Sequence, residues 1–472
     1  MSKNKKPRKN KRKRVFRKIH ARELVIDDRQ ATSFGGLSVI GKAASKLSIW
    51  SFAQKQLSPR RGIYDRLGIV KGAVAGFLSG SRGSALLEAV GQDDALLREM
   101  EVEKLPGEKV FCEDLERFGT ADVLAALDKT TAYAAKRTLQ KIQPEDVQIE
   151  HGFIPLFGDG TLLEGSANRE GDKYIEGKGN GLMWGTWMFG PMVAGQYLCA
   201  EGEGEHSAQR FMRSDVLRRV VDPLGWRSRA LVLMDSLHGD EPTLAWLEKE
   251  RLYGIIGGNK LVAVKQRLEE LPESGWQKVP AEKMQKGFVD EEVCTVYIQC
   301  EKWEKKRRLV GKRFKRDGDL MWNHGGVFCN IPPRRIGCLE ETDLEFQLKS
   351  WRLYSLKMGM EDRFKDLLID LAGHRPPCKK LEKNRGYYAL LSLAHNLARA
   401  VDLIGGAARR RELRKQGRRA NQRMRIATLR RHLFALPGFI TVHARKATIR
   451  LVGGGAGNLK WFEEYWETLA RC

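Results

Sequence analysis

Residues 229–260, RALVLMDSLHGDEPTLAWLEKERLYGIIGGNK, read as strand, turn, helix and strand. Ala230 to Met234 is a short apolar run with the length of a buried strand, and it ends abruptly in Asp235. Asp240 followed by Pro242 marks a helix start, with Leu244, Trp246 and Leu247 as its apolar face. Tyr253 to Ile256 is a second strand, closed by Gly257 and Gly258. In open α/β sheets the catalytic groups collect where strands end at their carboxyl side, because the loops fan out there. Asp235 is therefore placed for chemistry, and Asp240 for capping a helix.

Around this unit the chain is strongly basic, with 84 Lys plus Arg against 59 Asp plus Glu and a formal net charge of +25. Such an excess favours a polyanion as partner, since each cation set against a phosphate releases condensed counterions. An anionic membrane fits less well, because the basic runs carry little apolar content. No stretch approaches the roughly 18 apolar residues of a membrane span, and no apolar segment follows the basic N-terminus, so the expected location is cytoplasmic. The eight cysteines form no C-x-x-C pair and read as reduced and structural.

Residues 1–18 hold eleven Lys or Arg and no acid. They open a flexible basic arm, 1–34, suited equally to nucleic acid and to solubilisation. Residues 35–150 are helical throughout, with turns at Gly and Pro, and fit either a DNA-binding region or a packing domain. At Phe153 the period turns strand-like. FIPLFGDGTLLEG (153–165) sets Asp159 between two glycines inside a strand, where an acid has no packing role. Two more strands follow, 182–189 and 192–200, then a helix over 206–221.

Three strands, a helix, a strand, a helix and a strand give the order of a ribonuclease-H-like sheet. The expected fold is therefore α/β, a ribonuclease-H-like core in two parts, 151–260 and 343–404, interrupted by a β-rich insertion at 261–342. A basic C-terminal region, 405–472, completes the chain. Within the insertion, residues 302–316 carry nine cations against Glu304, with Trp303 and Phe314 interleaved. That pattern reads as a strand-tracking surface through Lys305, Lys306, Arg307, Arg308, Lys312 and Arg313. Arg409, Arg410 and Arg411 open a second basic run.

On the helix that follows the insertion, Trp351, Tyr354, Met358, Glu361, Phe364, Leu368 and Leu371 share one stripe on a 3.6 period. A lone carboxylate on an apolar stripe needs a counter-charge or a metal. The spacing Lys357, Glu361, Lys365 equally suits a surface ion-pair ladder, and periodicity leaves both readings open. If Asp159, Asp235 and Glu361 converge, their oxygen-only donor set suits Mg²⁺ or Mn²⁺. Of the weaker candidates, His238 reads as a turn histidine, Trp322 as core, and Asp172 as a polar hairpin tip.

Three stretches resemble the catalytic blocks of bacterial insertion-sequence DDE transposases: GDGTLLE (158–164), LVLMDSLHGDEPTLAWLEKERLYGIIGGNK (231–260) and YSLKMGMEDRFKDL (354–367). The tail PPCKKLEKNRGYYALLSLAHNLARAV (376–401), with Asn384 and the Ala394 to Leu397 stretch, is similar to the insertion-sequence 1380 group of the type 4 superfamily. So is LRRHLFALPGFITVHAR (429–445). The resemblance runs from about residue 105 to the C-terminus. It implies a metal-dependent enzyme that binds double-stranded DNA at transposon ends and at a target, cleaves it and transfers strands, as a homodimer pairing two ends. It also implies Asp159, Asp235 and Glu361 as metal ligands, with Tyr354, Lys357 and Lys365 near the scissile phosphate. The family's last helix carries Tyr, Arg, Glu and Lys in fixed spacing. Here Lys357 replaces the Arg and Leu368 stands where the Lys would be. The rival readings are a transposase-derived DNA-binding protein that does not cut, and a ribonuclease-H-like nuclease.

Overall fold

The computed structural model describes residues 31–60, 62–165, 169–175, 179–200, 205–417, 423–443, 446–452 and 455–472. Most of the basic arm and the tip of the hairpin near Arg445 lie outside them. In chain order the strands are β1 Ala31–Thr32, β2 Ile154–Glu164, β3 Lys173–Ile175, β4 Gly179–Phe189, β5 Met192–Leu198, β6 Ala230–Met234 and β7 Tyr253–Gly257. They continue with β8 Gln277–Lys278, β9 Asp290–Ile298, β10 Arg307–Lys315, β11 Asn323–Cys329, β12 Gly438–His443 and β13 Lys446–Leu451.

One ten-stranded sheet runs in the order β3-β4-β2-β6-β7-β11-β10-β9-β8, with β5 also paired to β4. β2 is antiparallel to β4, and β6 and β7 are parallel to β2. Every residue of β6 is buried, as expected of a central parallel strand covered on both faces. The connection from β6 to β7 is the helix Glu241–Lys249, whose N-terminus is capped by Asp240 accepting from Thr243 N–H at 3.0 Å. Gly254 lets β7 pass beneath that helix, because a Cβ there would stand 2.5 Å from a Leu247 methyl.

The segment 261–342 does not form a sheet of its own. β11 pairs antiparallel with β7, Val327 opposite Gly257, so β8 to β11 extend the central sheet past β7. This covers what would otherwise be an open strand edge. The helices of 35–150 are likewise no separate unit: they share one hydrophobic core with the sheet. Their anchor is the helix Leu381–Ala400, almost wholly buried, which packs against the helices Arg66–Ser79, Glu108–Phe118 and Ala121–Leu139 and against β5. Asn396 fixes that helix in place. Its amide donates to the Thr131 and Val193 carbonyls at 3.0 and 2.8 Å, and its oxygen accepts from Val193 N–H at 2.9 Å. Asn384 similarly holds both backbone groups of Cys378. A short sheet of β1, β12 and β13 brings the described ends of the chain together.

A buried polar chain crosses from sheet to helices. Trp184 Nε1 donates to Gln196 Oε1 at 3.0 Å, and Gln196 Nε2 donates to Asp128 Oδ1 at 2.9 Å. Burial pushes the Asp128 carboxyl up to about 7, against the opposing pull of Gln196 and Arg219. The folded protein thus holds this proton more tightly than the unfolded chain does. The stability tied to it is full below the ordinary aspartate range and is lost as pH rises through 7. Asp128→Asn should therefore melt higher than wild type at about pH 8, with the gain shrinking toward pH 4. Thermal melts across that range check this, and a gain independent of pH would contradict it.

Candidate active site

The β2 and β6 register decides the site. Phe157 is the partner of Leu233 in the parallel pair, and Asp159 and Asp235 each lie two residues further on. The two residues therefore stand side by side where β6 ends, their backbones about one strand spacing, ~4.8 Å, apart. Asp235 opens a tight turn over Ser236–His238, its Oδ1 accepting from Leu237 N–H at 2.9 Å. His238 is buried in that turn, with Nε2 4.0 Å from Asp235 Oδ1. Asp159 Oδ1 accepts from Gly160 N–H at 3.0 Å.

The helix Leu344–Ser355 brings a cation and a phenol to this pair. Lys357, just past its end, places Nζ 3.0 Å from Asp159 Oδ2. Burial works against the Lys357 ammonium, yet Asp159, and Asp235 after it, hold its pKa above the ordinary lysine value. The Tyr354 hydroxyl reaches the backbone of β7: a Cβ on Gly257 would stand 2.6 Å from it and 2.7 Å from Ser236 N. Burial raises the Tyr354 phenol; Lys357 opposes, and Asp235 and Asp159 add to the rise. The phenol is a neutral donor at the edge of a charged cluster. Trp351 supports it edge-on at 87° and 5.9 Å, and Lys312 stands 4.6 Å over the Trp351 ring.

Glu361 does not join these groups. The stripe expected from a continuous 3.6 period is broken, because Leu356–Met358 form a 3₁₀ turn before the helix Gly359–Lys365. Three residues at ~120° instead of ~100° each advance the following helix by about 60°. Met360 and Phe364 then face the core, while Met358 and Glu361 are exposed. Lys365 also points outward, 2.7 Å from Asp362. Among the described residues no group of three His, Cys, Asp or Glu gathers around one point. The donor set that is assembled, two neighbouring carboxylates, suits a hard divalent cation of the kind held by one or two carboxylates and substrate oxygens. The Lys357 ammonium supplies positive charge at that place.

The basic run of the insertion is a correction. Arg307 is buried and pairs with Glu241 and with Glu248, the latter at 3.2 Å, and its guanidinium lies 5.2 Å from the ring centre of buried Trp303. Arg308 is bound to Glu341 at 2.9 Å and to the Cys329 carbonyl. Lys312 is buried against Glu291 at 3.5 Å, and Arg313 against Glu273 and Glu292. These four cations meet acids from β9, from the helix Glu241–Lys249 and from Glu273 and Glu341, and are spent inside the fold. Lys305, 3.1 Å from Glu248, and Lys306 remain exposed. In the helix Ala407–Lys415, Arg410 turns inward to the Asp402 carbonyl and Asp146, while Arg409 and Arg411 face out.

One cluster had no signal in the sequence. Asp366, fully buried five residues past Glu361, meets Arg423 at 3.0 Å, Arg399 at 3.3 Å and Arg425 at 3.5 Å. The partners come from two segments distant from Asp366 in sequence, so no local spacing announces them. Arg399 also pairs with Asp402 at 2.8 Å, and Arg425 with Asp370. The network clamps the end of the helical segment that follows Lys357 to the central buried helix.

The profile described as transposase DDE domain, group 1, matches residues 201–471. Among solved structures, the chain is similar to one titled cryo-EM structure of piggyBac transposase synaptic complex with hairpin DNA, at 11% identity and a TM-score of 0.42, covering 86% of this chain and 82% of that one. No curated protein matches. Among the described residues no helix is long and apolar enough to cross a membrane.

Replacing Arg307 with Ala leaves Glu241 and Glu248 beside an emptied, largely buried position, so Arg307→Ala should lower stability by about 2–4 kcal/mol. The double change Lys305→Ser and Lys306→Ser should leave it nearly unchanged. Chemical denaturation of both variants reads the difference, and an unaffected Arg307→Ala would place this cation outside the packed network.

Proposed function

The chain belongs to the transposase DDE domain family, group 1, and from that premise we propose that it cuts double-stranded DNA at the ends of a mobile element and joins them to a target. The observation that carries the proposal is the Asp159 and Asp235 pair with Lys357 set upon it. Sheet order supports a ribonuclease-H-like core: β5, β4, β2, β6 and β7 lie side by side as third, second, first, fourth and fifth strands. The quoted motifs support placement in the insertion-sequence 1380 group.

Asp159 and Asp235 are the residues that would hold a divalent ion. Mg²⁺, or Mn²⁺ in its place, would supply the positive charge that activates an oxygen nucleophile and steadies the leaving oxygen. Lys357 then turns its ammonium from Asp159 to a phosphate oxygen of the DNA, as a point charge without the two-pronged grip of an arginine. Tyr354 donates its phenolic proton in a hydrogen bond on the same side. Glu361 is proposed as the third carboxylate. It lies one helical turn beyond Lys357, and rewinding Leu356–Met358 from 3₁₀ to α would carry it from about 40° on one side of the Tyr354 direction to about 20° on the other. Exposed Lys305, Lys306, Arg409 and Arg411 contact the DNA backbone, and two copies of the chain pair the two ends.

The exposed position of Glu361 favours a second reading, a transposase-derived protein that binds ends without cutting. Cleavage of a labelled duplex carrying the repeats that flank the source gene separates the two. We expect cuts at the repeat ends with Mg²⁺ that are absent in EDTA, abolished in Asp235→Asn and strongly reduced in Glu361→Gln, with binding retained in both variants. Binding without cutting under any divalent ion would establish the second reading, and full activity in Glu361→Gln would remove Glu361 from the site.

A further inference from the structure

Lys357 Nζ lies 3.0 Å from Asp159 Oδ2, and Asp159 Oδ1 accepts from Gly160 N–H at 3.0 Å, so each oxygen of this carboxylate faces a donor. The ion pair is shielded from water, with the Lys357 side chain 21% and the Asp159 side chain 14% exposed. Asp235 is the more open acid, at 31%, and its Oδ1 accepts from Leu237 N–H. An ammonium and a hard divalent cation seek the same partner, a carboxylate oxygen. Both cannot hold Asp159 Oδ2 closely, because they also repel each other across a short distance of low dielectric.

The surroundings of Lys357 hold it at this place without locking it. It sits in the 3₁₀ turn Leu356–Met358, between the helices Leu344–Ser355 and Gly359–Lys365, and no residue of that turn is buried. Burial disfavours its charge, and Asp159, followed by Asp235, keeps it an ammonium. A lysine carries that charge on a flexible stem with three donors, so its head can pass from one oxygen to another without moving the backbone. Taken from Asp159 and given nothing in exchange, the half-buried ammonium would be left unpaired, which is costly. A phosphate oxygen of DNA is the exchange partner that removes this cost.

We propose that Lys357 competes with the divalent ion for Asp159 and yields only when DNA receives its ammonium, so that DNA and the ion bind cooperatively through this one side chain. The inference rests on the DNA-cutting reading, in which a duplex phosphate reaches Asp159 and Asp235. Coupling of this kind is reciprocal: the factor by which DNA tightens the ion is the factor by which the ion tightens DNA. A hydrogen bond between charged groups corresponds to roughly a tenfold to hundredfold change in an equilibrium constant, which sets the size of the effect.

The test is Mn²⁺ binding to the full chain, read from the loss of the free-ion signal in electron paramagnetic resonance, with melting curves to confirm that each variant is folded. Without DNA, Lys357→Met should bind Mn²⁺ roughly tenfold or more tightly than wild type. Lys357→Gln keeps a polar head at the same place and gives the same reading where the methionine variant does not fold. Lys357→Arg retains the charge and the contact and should bind no more tightly than wild type. Arg352→Met removes a 65% exposed cation from the preceding helix and should match wild type, which separates the loss of this contact from a change in net charge. Adding Asp235→Asn to Lys357→Met should abolish the gain. A duplex carrying the flanking repeat, with its own Mn²⁺ uptake subtracted, should tighten binding to wild type and do so far less in Lys357→Met. Equal affinity of wild type and the neutral variants without DNA, an equal gain in Arg352→Met, or an equal response to DNA with and without Lys357 overturns the competition while leaving the transposase reading standing. Wild type and variants that take up no Mn²⁺ with or without duplex overturn both readings.

Discussion

Two carboxylates on neighbouring parallel strands, Asp159 within β2 and Asp235 just past the end of β6, repel each other, and much of the structure is arranged to hold them there. At ~5 Å and an effective dielectric near 20 the repulsion is about 3 kcal/mol. The contact of Lys357 with Asp159 at 3.0 Å returns roughly 5 kcal/mol on the same scale, before desolvation. The cation thus offsets the repulsion between the two carboxylates. Lys357 is followed by the helix Gly359–Lys365, whose far end Asp366 ties to Arg399, Arg423 and Arg425 in the interior. The order of dependence runs from that buried network, through the helix, to the charge balance at the sheet edge.

The same balance explains why three acids are not gathered in the described structure. A third carboxylate beside Asp159 and Asp235 would add repulsion with only one ammonium to offset it. The 3₁₀ turn Leu356–Met358 keeps Glu361 in water, where its charge costs little. A divalent cation changes the sum, since it attracts each oxygen with twice the charge of Lys357.

Much of the fold was legible because its elements announce themselves locally. Ala230 to Met234 is a strand by apolar length, Asp240 a cap by its neighbours, and Asp159 stands out because it lies between glycines inside a strand. What escaped depends on partners distant in sequence. The cations of 302–316 look like a phosphate-binding surface until β9, the helix Glu241–Lys249 and Glu273 bring acids to them; spacing along one strand says nothing about the strand beside it. The same holds for β11, whose pairing with β7 joins the strands of the expected insertion to the central sheet. The outward position of Glu361 escaped for a different reason: a period of 3.6 assumes an unbroken α-helix, and the 3₁₀ turn Leu356–Met358 interrupts it.

The β7 and β11 pairing has a consequence for how the site is built. Gly257 ends β7 against the Tyr354 hydroxyl, and its register partner Val327 begins the part of β11 that projects past the sheet. Trp351 lies between them, touching Gly325 of β11 on one side and Tyr354 on the other. Lys312 of β10, above the Trp351 ring, locks the same three elements from the far strand. The carboxylate edge and the projecting hairpin are thus held in one rigid frame rather than joined by a linker. The ion pairs that remove Arg307, Arg308, Lys312 and Arg313 from the surface are what stiffen that frame. Charges that read as a surface for a partner instead fix the distance between the carboxylates and the hairpin.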